Sequence, residues 1–117
     1  MALPTAGAVA DSITRLQAWV GRDVTIEASL SRVPSAGHDR HFATRTQFAM
    51  RLEFVGARFS GAALMFLGRQ GGEEAQHEVF LEAAQVLEFV TAEQFAVVER
   101  FGPDLERRSA VTVRDRA

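Results

Sequence analysis

The densest group of chemically versatile side chains in this sequence is His38-Asp39-Arg40-His41. Two histidines three residues apart bind a divalent metal when a third ligand, commonly His or a carboxylate, converges on them. Asp39 is adjacent, and His77 and Glu78 are the remaining candidates for approach. His38, Asp39 and His41 are therefore the metal-site candidates, but no third partner stands at a recognisable spacing, and a solvated loop is the simpler reading. The same residues offer acid and base groups, because imidazole titrates near neutrality. No nucleophile is tied to them, since the chain has no cysteine and Ser35 has no motif around it. The sequence also lacks the phosphate-binding loop, the dinucleotide fingerprint, the HExxH zinc motif and the nucleophile elbow. No catalytic residue is assigned from sequence, and no cofactor is expected.

Arg45, Gln47 and Arg51 recur at even spacing along one stretch and define a second candidate, a nucleic-acid-binding sheet face. Aromatic rings beside arginines on an exposed face stack bases. Here Phe42, Phe48 and Phe54 fall in the opposite phase from Arg45 and Arg51, which favours core packing for the rings. Gly68-Arg69-Gln70-Gly71-Gly72 is a third candidate, as a glycine-rich turn ahead of a segment with helical patterning. A helix N-terminus there would attract an anion, but Glu73 and Glu74 occupy that position.

These residues are carried by elements of legible type. Ile13, Leu16, Trp19 and Val20 share a helical stripe, with Asp11 or Ser12 as cap and Gly21 as stop. Asp23–Val33 alternates as a strand, and Pro34-Ser35-Ala36-Gly37 ends it. Phe42–Val55 alternates strictly, with Phe42, Thr44, Thr46, Phe48, Met50, Leu52 and Phe54 on one face. Phe59–Leu67 follows as a strand apolar on both faces, which demands cover on both sides, from a helix of this chain or from another copy. Glu73–Val90 fits both periods, and its Glu, Ala and Gln content favours a helix. Thr91 and Gln94 have capping-box spacing, yet Phe95, Val97 and Phe101 also suit a strand. Ala110–Val113 reads as a short edge strand or tail.

The expected fold is α+β in a single domain, residues 1–117. An N-terminal helix packs on an antiparallel sheet of three to six strands, with a second helix at about 73–90. The alternative is a helix with a small five-stranded barrel, which resembles an Sm-type barrel in element order alone. The order α-β-β-β-α, with Gly37-His38 followed by Phe42, resembles part of the double-stranded RNA-binding domain. That family grips phosphates with lysines opening its second helix, where this chain has Glu73 and Glu74, so no family is assigned.

Composition sets the outer limits. An apolar fraction of 47% supports a core, and no stretch approaches the roughly 20 apolar residues that cross a bilayer. The N-terminus has no basic residue before Arg15 and no apolar run of signal-peptide kind, so a cytoplasmic location and no membrane partner are expected. All 13 basic residues are arginine. A net charge of -2 argues against a strong general attraction to nucleic acid. The charge is unevenly placed: residues 30–60 are arginine-rich, residues 69–99 set Arg69 and Glu73 to Glu99 in an acidic block, and residues 105–117 are basic again. Such blocks complement one another within one fold or between subunits. The function expected is a non-catalytic protein-interaction or oligomerisation module, with a homo-oligomer or protein partner. The alternatives are nucleic-acid binding through Arg45, Gln47 and Arg51, and a small enzyme or metal-binding protein using the His38–His41 loop.

Overall fold

The computed structural model describes residues 4–32 and 43–114, with one helix and seven strands. They are α1 (Ala6–Gln17), β1 (Asp23–Arg32), β2 (Ala43–Arg58), β3 (Ala63–Gln70), β4 (Glu73–Phe80), β5 (Ala84–Thr91), β6 (Gln94–Phe101) and β7 (Leu105–Val113). The strands form one antiparallel sheet in the order β4-β3-β2-β1-β7-β6-β5. The α+β expectation holds with its N-terminal helix, and the sheet has seven strands rather than three to six.

The segment 73–90 is two strands, not a helix, and the five-stranded barrel is not formed. Its helix-favouring residues are overruled by pairing with the neighbouring strands in the chain: β4 folds back along β3 and β5 lies along β6, each across a tight hairpin. Gly71 and Gly72, with φ of 60° and 90°, make the two-residue hairpin turn between β3 and β4. The Thr91–Gln94 spacing is a second tight hairpin, with the Glu93 N–H donating to Thr91 Oγ1, rather than a helix cap. Leu105–Val113 is a central strand between β1 and β6, not a frayed edge. The helix starts earlier than its apolar stripe suggests. Thr5, not Asp11 or Ser12, accepts from the Ala8 N–H and caps it.

The connection between β4 and β5 decides the shape of the sheet. These strands are the two opposite edges, about 29 Å apart if the seven strands lay flat. The four Cα steps from Phe80 to Ala84 span at most ~15 Å. The sheet must therefore curl until its edges approach, with the ladder still open between them. Leu16 and Trp19, at the end of α1 and in the turn after it, pack inside the curl with Ile26, Leu52, Phe66 and Phe95. Trp19 meets Phe89 of β5 edge to face at 5.5 Å, which docks the end of the helix on the sheet.

The long strand β2 does not keep its alternation to the end. The register with β3 shifts between Leu52 and Phe54, so the chain bulges at Glu53. Val55 then enters the core in the phase predicted for Phe54, and the Phe54 ring lies over Gly56, with Arg58 stacked 4.5 Å above it. That bulge also answers the demand made by β3. Leu64 and Phe66 join the core, while Met65, opposite Gly56, is 8% exposed on the outer face beside Phe54. Cover for the outer face thus comes from the same chain. Phe59 lies outside the strand, in a turn with positive φ, and is 70% exposed.

Candidate functional site

His38, Asp39 and His41 lie outside the described residues. Among the described residues, no group of three His, Asp or Glu side chains is placed to hold a metal ion. The polar groups that the fold does gather fall in two places, one inside the curl and one on its outer face.

Inside, three polar residues interrupt the apolar phase of β6 and β7. Phe95, Val97 and Glu99 face inward along β6, and Ser109, Val111 and Val113 along β7, with Arg107 in the same phase. Glu99 is fully buried and accepts two bonds from Arg107, at 2.6 Å from Nε and 2.9 Å from Nη2. It accepts a third, at 2.7 Å, from the backbone N–H of Phe80 on β4. Arg107 also donates to the Glu78 carbonyl, at 2.6 Å. A buried carboxylate needs such a complete shell. The consequence is structural: at the C-terminal end of edge strand β4, the Phe80 N–H and the Glu78 carbonyl are satisfied by an ion pair from β6 and β7. Phe80 and Phe101 close the same seam edge to face, at 6.0 Å.

His77 on β4 lies beside this seam. Its ring lies 3.1 Å from Ser109 Oγ and between Phe48 and Phe66. Burial, assisted by the nearby Arg107 charge, lowers its pKa to about 4. A cavity of about 230 Å3 opens here, lined by Leu30, Thr44, Thr46, His77 and Arg107 among others. A Ser–His contact is the starting geometry of nucleophilic catalysis. Here the imidazole is too weak a base to activate the hydroxyl near neutrality, and Ser109 is itself 4% exposed. We assign this group to the core. The interruption of the apolar phase by Glu99, Arg107 and Ser109 is visible in the sequence once β6 and β7 are read as strands.

Outside, β2 presents Arg45, Gln47 and Arg51 to solvent, as the alternation predicts. Arg45 stands 3.9 Å from Glu27, and Arg51 3.5 Å from Asp23, both on β1. Phe48 points inward and Phe42 lies outside the described residues. Phe54 is the aromatic that the bulge moves to the outer face, and it is covered by Arg58. The acidic block does not complement the arginines of β2. Glu99 pairs with Arg107 and Glu93 with Arg22.

Two further features of the outer face escape a reading by segment. One is a row across four strands. Arg69 on β3 is opposite Arg51, Arg51 is opposite Asp23, and the Arg114 N–H, just past β7, donates to the Asp23 carbonyl. Gly68-Arg69-Gln70 thus belongs to a hairpin, and the helix N-terminus considered for it does not exist. The other is a trough of about 510 Å3 over β5, β6 and β7, floored by Val86, Val90, Ala96 and Val98. Its rim carries Glu88, Arg100, Glu106 and Arg108.

No family model, curated protein or solved structure matches this chain significantly. No helix is long and apolar enough to cross a membrane.

Proposed function

We propose that this chain is a non-catalytic interaction module whose partner is a second copy of itself, docked through the β5 side of the sheet. The observation that carries the reading is the asymmetry between the two edges. The C-terminal end of the β4 edge is engaged by Glu99 and Arg107, through the Phe80 N–H and the Glu78 carbonyl. The β5 edge pairs only with β6 among the described residues, and beside it lies the apolar trough, with Val90 55% exposed. An unsatisfied edge beside an exposed apolar strip is what strand addition uses.

The rim is self-complementary in charge. Arg100 and Arg108 share Glu106, at 3.8 and 2.6 Å, which leaves that end positive. Glu88, exposed on β5, marks the other end as negative. An isologous contact that brings the two troughs together offers each Glu88 to the partner's positive rim. Register irregularities at Ala84/Val86 and Phe89/Thr91 confine regular pairing to a short central stretch, so the association is transient rather than obligate.

Sedimentation velocity tests this reading. The expectation is dimer mass at concentrations on the order of 100 µM and monomer on the order of 1 µM, as in a weak interface. Val90→Glu should abolish the dimer, and Glu88→Arg should weaken it unless Arg100→Glu and Arg108→Glu are added. A monomer at every concentration, or a dimer indifferent to Val90→Glu, would remove the proposal.

A further inference from the structure

On the outer face across β3, β2, β1 and the end of β7, we infer that the row Arg69–Arg51–Asp23–Arg114 forms a binding cleft for a phosphate-bearing small molecule. The four residues lie on adjacent strands in one register line, and their neighbours Met50, Leu52, Val24 and Val113 point into the core. Strands about 4.8 Å apart make the row roughly 14 Å wide, within the reach of arginine side chains converging from both ends. A cleft of about 430 Å3 lies over it, to which Thr25 and Gln70 add neutral hydrogen-bonding groups. That volume exceeds a bare phosphate and falls in the range of small-ligand sites.

The three guanidinium groups are oriented without being neutralised. Arg51 donates through Nη1 to the Gly21 carbonyl at 3.0 Å, Arg69 to the Gly72 carbonyl at 3.2 Å, and Arg114 to Thr25 Oγ1 at 2.9 Å. Their carboxylate contacts are loose: Asp23 is 3.5 Å from Arg51 and Glu53 is 3.6 Å from Arg69, both through Nε. Arg114 has no carboxylate within ion-pair distance among the described residues. Arg51 and Arg69 are also directly opposite one another, a like-charge pairing that costs stability in a sheet. Gly68 enforces this proximity, because a Cβ there would stand 2.2 Å from the Arg51 carbonyl oxygen.

Three arginines against Asp23 in the cleft and Glu53 beside Arg69 leave the site net positive, with more guanidinium donors than a single carboxylate can use. Arginine's planar fork suits the oxygens of a phosphoryl group. The glycine hairpin contributes by holding Arg69, not by forming a helix terminus.

Inorganic pyrophosphate is the probe, titrated calorimetrically into the full chain and followed in parallel by thermal melting. The expected result is saturable, salt-sensitive binding with a raised melting midpoint. Arg69→Ala and Arg114→Ala should each weaken it about tenfold, as loss of a charge-assisted bond implies. Arg45→Ala, on the same face but off the row, should leave it unchanged. Arg69 lies at the end of an exposed hairpin and Arg114 beyond the last strand, so these variants keep the fold, which their circular dichroism spectra check. Absence of saturable binding, or equal weakening by Arg45→Ala, would overturn the inference. So would a single-stranded oligonucleotide that binds more tightly than pyrophosphate and depends equally on Arg45, because the face would then read a nucleic-acid backbone.

Discussion

The side chain with the most consequence for pH behaviour is His77, and its role follows from where β4 lies. Burial among Phe48, Phe66 and Ser109 keeps the ring neutral, and Arg107 opposes its protonation. With a folded pKa of about 4 against 6.5 unfolded, the unfolded chain binds the proton first as pH falls. Stability from this group is therefore complete above pH 6.5, declines as pH drops toward 4, and is gone below that. The drop across the window is on the order of 3 kcal/mol. Urea denaturation at a series of pH values should show this decline in the native chain and a flatter profile in His77→Gln, which retains a hydrogen-bonding partner for Ser109. A profile unchanged by His77→Gln would assign the decline to other groups. His77 was legible as a residue of interest, but its neighbours were not: Ser109 is 32 positions away and reaches it only through the curl.

At the scale of elements, the alternation of β1 and β2 was readable because both strands have one wet face and one buried face. The segment 73–90 was not, because its residues satisfy the helical period locally and their strand partners, Ala63–Gln70 and Gln94–Phe101, lie just outside it across tight hairpins. The Gly71-Gly72 pair carried the hairpin signal, and the glutamates that follow it disguised that signal as the first turn of a helix. Phe54 was misplaced for a different reason. A one-residue bulge reverses every later side chain, and nothing in the alternation before Glu53 announces it. The same scale holds the seam that replaces a β4–β5 ladder. Glu99→Ala should cost roughly 3–5 kcal/mol in chemical denaturation, because it strands Arg107 and the Phe80 N–H. Glu99→Leu combined with Arg107→Leu should recover much of that loss. If Glu99→Ala cost no more than an exposed ion pair, the seam would be a surface contact and not the closure of the sheet.

For the whole molecule, the curl creates two unlike edges, and this asymmetry is what a sequence cannot display. A strand apolar on both faces implied a missing cover, and the structure supplies it at β3 from Phe54 of the same chain. Self-association therefore rests on β5 alone, where Val90 is exposed and the strand pairs only with β6 among the described residues. The arginine row and the trough share no lining residue, so the two proposals fail or stand separately. Amide hydrogen exchange at two protein concentrations tests the asymmetry most directly. The account predicts that the Phe80 amide, bonded to Glu99, is protected at any concentration. The β5 amides that do not pair with β6 should be protected only in the concentrated sample. Equal exchange of β5 at both concentrations, while the native mass stays at 12.8 kDa, would contradict it.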